Sequence, residues 1–288
     1  MRDLGIVFAA GGNRSFYQLG LMRGWRGLLL PRARVVAACS AGACMAVLSL
    51  TGREAEAEEF WKRRREGLDK NFDWRRLLAG RRPTPHEEIY RETLLCALGD
   101  EGFQRVRSQP FPLYVLTTGY PKLLPPILAA LLGLCAYKLD GRRARGARPE
   151  SAFARRAGFT PVAFDVRSCD SPETLADLII ASSSTPPFTA VGKVSGRRLL
   201  DGGIIDTAPV FLTDSAPGVR RKVVLLTNPR PADAADPGPD FFFAAPETAL
   251  NVDTWDVTRP ELIEETIRRG ERDAERLGPR LEEFLRGR

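Results

Sequence analysis

Histidine is almost absent from this chain of 288 residues, which has a single one at His86. A zinc site is therefore not expected, because His and Cys ligands come in clustered sets, and no metal or other cofactor is expected either. Five cysteines, Cys39, Cys44, Cys96, Cys135 and Cys169, form neither a CxxC pair nor a regular framework. An odd count cannot pair fully, so no disulfide scaffold is expected and a reducing cytoplasm is the default compartment. Lysine is scarce as well, with 6 Lys against 37 Arg. The net charge of +7 and pI of 9.4 would suit an anionic partner. The basic residues, however, are scattered, without interleaved aromatics or a recognisable module, so no nucleic-acid partner is expected. No run reaches the roughly 20 apolar residues of a spanning helix. Met1 to Phe8 also lacks the basic start, sustained apolar run and small-residue cleavage site of a secretory signal.

What remains is the profile of a globular protein: 43% hydrophobic and 27% charged residues, with a mean hydropathy of −0.21. The length suits one large core. A single domain over 1–288 is expected, with a core of about 4–228, a loop-rich segment over 229–258 and a C-terminal helix over 259–288. Leu4 to Ala9 is an apolar run rich in β formers that stops at Gly11-Gly12, and apolar residues then recur at helical spacing from Ser15 to Leu29. Val35 to Cys39 is a second such run, followed by helix formers from Ala41 to Leu50. This alternation predicts an α/β fold with a largely parallel sheet, in which chemistry lies on the turns after strand ends. Arg53 to Leu68 and Pro85 to Leu98 read as surface helices. Pro112 to Thr118, Val162 to Val166, Arg198 to Leu200 and Val223 to Thr227 continue the strand series.

Ser40 lies in Ala38-Cys39-Ser40-Ala41-Gly42, between the second strand and its helix. A nucleophile elbow places a serine at such a turn, where the helix N-terminus stabilises developing negative charge. The small neighbours Ala41 and Gly42 would let strand and helix approach. The alternative use of Ser40 is an ordinary helix N-cap. A serine nucleophile needs a base, and His86 sits in Arg82-Pro83-Thr84-Pro85-His86, which reads as a solvated helix start. The base is therefore expected to be a carboxylate. Asp201 is the candidate, since it ends a strand and is followed by Gly202-Gly203, which permit a tight turn. Gly11-Gly12-Asn13-Arg14, after the first strand, offers backbone N–H groups to an oxyanion or a phosphate, but lacks the GxGxxG and Gly-Lys-Ser/Thr spacing of nucleotide loops.

These three elements together resemble the patatin-like phospholipases, whose pattern is a glycine-rich oxyanion loop with Arg or Lys, a GxSxG elbow and a DGG motif. Gly11 to Gly20 is similar to the family's loop and first helix, Ala181 to Phe188 to the segment before its DGG, and Asp201 to Val210 to the DGG segment itself. The resemblance covers roughly residues 4 to 228. It implies a three-layer α/β/α fold and a Ser40–Asp201 dyad, with Gly11, Gly12, Asn13 and Arg14 forming the oxyanion hole. Ala41, Gly42, Gly202 and Gly203 would support the elbow or the substrate. The implied activity is a serine acyl hydrolase acting on lipid or phospholipid acyl esters. An acyltransferase using the same dyad, or a non-catalytic lipid- or phosphate-binding module, are the alternatives. Ala10, Ala38 and Ser15 stand where the family has glycine, and a Cβ penalises positive φ. Those are the positions at which activity would suffer if the turns required it.

Leu123 to Tyr137 carries no charge over 15 residues and is bracketed by Lys122 and Lys138. Pro125-Pro126 set its start. It is apolar all round, which predicts a buried core helix, with peripheral contact at a membrane as the second reading.

Overall fold

Alternate residues of the strands feed two separate cores. Leu4–Phe8 (β1), Ala33–Cys39 (β2) and Arg221–Leu225 (β7) pair in parallel at the centre of the sheet. Ile6, Phe8, Val36, Ala38, Val223 and Leu225 join one apolar cluster, while Val7, Ala37, Cys39 and Val224 join another. Side chains on a strand point to opposite faces in turn. The continuous apolar runs thus mark strands covered on both sides, as parallel sheets require. The computed structural model describes residues 2–78, 80–143, 151–232, 234 and 236–287.

The other strands are Leu113–Gly119 (β3), Thr160–Asp165 (β4), Gly192–Val194 (β5), Arg197–Asp201 (β6) and Phe241–Ala244 (β8). The eight-stranded sheet runs β5-β6-β3-β2-β1-β7-β8, with β4 also paired to β3. β3, β4, β5 and β6 join one another antiparallel, and the remaining pairs are parallel. The three-residue β5 and the β8 strand inside the expected loop-rich segment lie outside the strand series read from the sequence. Both are short and at the sheet's margins, where an alternating pattern has little length in which to show.

The first core lies under Phe16–Leu29 (α1), Ala41–Thr51 (α2), Glu54–Arg65 (α3), then, past Arg75–Leu78 (α4), His86–Arg107 (α5). The second lies under Pro126–Arg143 (α6) and Ala152–Arg156 (α7). Pro172–Ser182 (α8) and Pro260–Arg286 (α9) complete the first layer, and α9 packs along α1. The helix expected to end at Leu98 continues to Arg107 across a break at Gly99, whose φ of 32° and ψ of −169° are not helical. Helices therefore cover both faces of a central, mostly parallel sheet. Among the described residues no helix is long and apolar enough to cross a membrane.

α6 corrects one expectation. It is not a buried core helix: Ile127, Leu128, Leu131 and Leu132, with Leu123 just before it, are exposed, while Ala129, Ala130 and Gly133 are buried. Hydrophobicity on every side leaves no periodicity from which the buried face could be read.

Candidate active site

β4 runs antiparallel along β3 from Tyr114 to Gly119 and occupies one whole edge of it. β2 and β6 must share the other edge. There Cys39 of β2 lies opposite Leu116, and Asp201 of β6 lies opposite Thr117. The two strands thus approach each other end to end and stop on consecutive rungs of β3. This brings together two residues 161 positions apart: Ser40 Oγ donates a hydrogen bond of 2.7 Å to Asp201 Oδ2.

Ser40 follows the last residue of β2 with φ 53° and ψ −136°. A non-glycine residue in that region is strained by about 1–3 kcal/mol and persists only where its surroundings hold it. Ser182 Oγ provides one restraint, accepting from the Ser40 N–H at 2.8 Å and donating to the Leu116 carbonyl at 2.6 Å. Gly42 provides another, because a Cβ there would lie 2.4 Å from the Ala9 carbonyl oxygen, so α2 can start directly against the end of β1. The Ser40 hydroxyl makes no cap bond to α2. The N-cap alternative is therefore not the use made of it.

Asp201 is held at both ends. Its N–H donates to the Ser184 carbonyl at 2.8 Å, its own carbonyl accepts from Thr118 Oγ1 at 2.8 Å, and its Oδ1 accepts from the Gly203 N–H at 2.7 Å. Burial raises its carboxyl from 3.8 to about 6, against the lowering effect of the hydrogen bonds from Ser40 and Gly203. The carboxylate is thus poised as a proton acceptor near neutral pH. Ser182 and Ser184, at and just past the end of α8, position the serine and the aspartate respectively. Sequence reasoning singled out this segment only through a family likeness and gave it no role.

The loop after β1 is tied on every side. Thr227 Oγ1 donates to the Ala10 carbonyl, and Arg14 donates from Nε to the Gly11 carbonyl and from Nη1 to Asn228 Oδ1. Gly12 has φ 57°, and a Cβ on it would lie 2.3 Å from Thr254. Among the described residues the N–H groups of Gly11, Gly12 and Ala41 have no hydrogen-bond partner. Asn13 departs from the expectation. Its N–H is committed to the Thr254 carbonyl at 3.1 Å, and its side chain donates to the Asp253 and Asp256 carbonyls. Asn13 thus anchors the 253–256 loop while lining the inner cavity beside Ser40, with its N–H and side-chain amide already engaged. The alanines at 10 and 38 and the serine at 15 cause no backbone conflict, since Ser40 and Ser195 are the non-glycine residues with positive φ among those described.

Two cavities meet at Ser40. An inner one, narrow with about 30 Å³ of free space, descends along α2 past Ala41, Cys44, Met45 and Leu48 and is also lined by the aromatic side chains Phe16, Trp61 and Tyr90. An outer cleft of about 500 Å³ opens past Arg14, Asp201, Asn228 and Arg230. Gly12, Ser40 and Trp255 line both. His86 begins α5, as the sequence suggests, but it is half-buried, with its Nδ1 out of contact with solvent. It packs between Trp61, Tyr90 and Trp255, and burial, with Arg65 nearby, lowers its pKa to about 4. It makes no hydrogen bond to Ser40, and its imidazole stays neutral over the physiological range.

Among solved structures, the chain is similar to human GIVD cytosolic phospholipase A2, at 13% identity and a TM-score of 0.47, over 98% of this chain and 62% of that one. It is also similar to type III effector protein ExoU, at 13% identity and a TM-score of 0.35, over 94% of this chain and 52% of that one. The chain spans less than two thirds of the length of either. No curated protein matches it. The model of one family, described as patatin-like phospholipase, matches residues 6–214, from β1 through the Ser40 elbow and the Asp201-Gly202-Gly203 turn, and the chain belongs to that family.

Proposed function

We propose that the chain is a serine hydrolase of lipid acyl esters, phospholipids included, working through Ser40 and Asp201. The observation that carries this reading is the 2.7 Å hydrogen bond from Ser40 to a carboxylate raised to about 6, at a strained turn where an apolar cavity meets an open polar cleft. Ser40 Oγ attacks the ester carbonyl while Asp201 Oδ2 takes its proton. The negative charge that forms on the carbonyl oxygen is received by the N–H groups of Gly11, Gly12 and Ala41, the last at the N-terminus of α2. Collapse of the tetrahedral adduct breaks the ester C–O bond, and Asp201 returns the proton to the departing alkoxide. Water then attacks the acyl-serine, giving its proton to Asp201, and the free acid leaves as Ser40 recovers that proton.

The cavities divide the substrate. The inner one suits the acyl chain, since its wall is apolar and begins at the nucleophile. The outer cleft suits the alcohol side, where Arg14 and Arg230 offer cations to a headgroup phosphate.

A fluorophosphonate probe tests this reading. The folded wild type should be labelled at Ser40 and should hydrolyse a p-nitrophenyl ester. Ser40→Ala should lose both properties with an unchanged melting temperature. Labelling at another residue, or turnover retained by Ser40→Ala, overturns the mechanism.

A further inference from the structure

In α6 the small residues face the protein and the large apolar ones face out. Ala129 and Ala130 are buried, and a Cβ on Gly133 would lie 2.8 Å from the Ile204 side chain. The helix therefore rests on the turn that follows Asp201. Leu123, just before the helix, is 98% exposed, and Ile127, Leu128, Leu131 and Leu132 extend the outward stripe at helical spacing. An amphipathic helix of a globular protein does the reverse, and a contiguous exposed apolar patch marks an interaction surface.

A second observation lies at the N-terminal end of the same helix. A cavity of about 570 Å³ is lined by Tyr120, Lys122, Arg197 and Arg198. The two arginines stand just after a tight β5–β6 turn with positive φ at Ser195 and Gly196. All three cations are exposed, and none pairs with a carboxylate among the described residues. The Tyr120 hydroxyl is buried there with no partner among the described residues. A third observation ties both features to the chemistry: Leu134, further along α6, lines the catalytic cleft. At about 1.5 Å per residue, roughly 12 Å of helix separates Pro126 from Leu134.

We propose that α6 and the Lys122, Arg197 and Arg198 cluster form one docking surface for a bilayer with anionic headgroups. The three cations meet headgroup phosphates, and the stripe from Leu123 to Leu132 enters the acyl boundary beside the opening of the catalytic cleft. The cations and the stripe are complementary to the two layers of a single leaflet, and among the described residues the cations have no carboxylate partner and the stripe is exposed. The assignment rests on the acyl-hydrolase reading of the neighbouring cleft, which gives docking its purpose.

The test compares vesicles of phosphatidylcholine alone with vesicles in which about a third of the lipid is phosphatidylglycerol, by cosedimentation of the full chain. Wild type should partition more strongly onto the anionic vesicles, and added salt should weaken that preference. Arg197→Ser with Arg198→Ser should lower partitioning onto anionic vesicles by roughly 5-fold per charge removed. Leu128→Ser with Leu131→Ser should lower binding to both vesicle types. Each pair should keep the wild-type melting temperature and turnover of a short soluble ester. Equal binding of wild type to both vesicles overturns the proposal, as does undiminished binding by either variant. So does a collapsed melting temperature in the leucine variant, which would show the stripe to be packed, or displacement of wild type from vesicles by free glycerophosphate at low concentration, which would show a soluble-anion site. A chain that is labelled by fluorophosphonate but ignores vesicles loses the docking surface and keeps the hydrolase. One that binds anionic vesicles without being labelled loses the hydrolase alone.

Discussion

Replacing Asp201 by Asn should remove activity and at the same time make the protein more stable. Burial raises the Asp201 carboxyl from 3.8 to about 6, so its ionised form is disfavoured in the native state relative to the unfolded chain. Below about pH 3.8 the group is protonated in both states and costs nothing; above about pH 6 it is ionised in both, and the native state bears the full penalty. That penalty is about 3 kcal/mol. Asparagine never ionises. It still accepts from the Gly203 N–H through Oδ1 and can donate to Ser40 Oγ, so both polar contacts of the carboxylate have a counterpart. The gain in unfolding free energy should therefore be close to nil near pH 4 and grow to between about 1 and 3 kcal/mol near pH 7.5. Urea unfolding of both proteins at the two pH values measures it. In parallel, kcat/KM of the wild type on a soluble ester should fall about tenfold per unit below about pH 6, and Asp201→Asn should be inactive throughout. Equal stabilities at neutral pH, or an acid limb centred near 4, would refute the claim that a desolvated carboxylate serves as the base.

Ser182→Ala leaves the Ser40 N–H and the Leu116 carbonyl buried without their shared partner, which should cost about 1–3 kcal/mol of stability. Because the same hydroxyl holds the strained serine, kcat should fall more than KM rises, and steady-state kinetics on the soluble ester will show the split. Leu48→Trp fills the inner cavity and should cut kcat/KM for a decanoyl ester at least tenfold relative to a butyryl ester. Equal losses for both chains would mean that the acyl group lies elsewhere.

Local sequence was enough to single out Ser40 and Asp201 as candidates, though each also reads as an ordinary cap or turn residue, and only their joint likeness to a family pattern linked them. Ser40 is written between an apolar strand and a small-residue helix, Asp201 ends a strand before two glycines, and each depends only on neighbours within a few residues. The alternation of strand and helix, and the continuous apolar runs of β1, β2 and β7, likewise declare a sheet covered on both faces. The tertiary structure decided what depends on distant partners. That Ser40 meets Asp201 follows from β4 filling one edge of β3, which places β2 and β6 end to end on the other. Ser182 and Ser184 acquire their positioning roles only through that meeting. Asn13 looks like part of an oxyanion loop until the 253–256 segment, some 240 residues away, takes its N–H and side chain. His86 reads as solvated because the aromatic residues that enclose it come from other elements of the chain. α6 is the clearest case. A helix apolar on every side has no direction written into it, and its orientation was set by small residues fitting against Ile204, which left its large side chains facing outward.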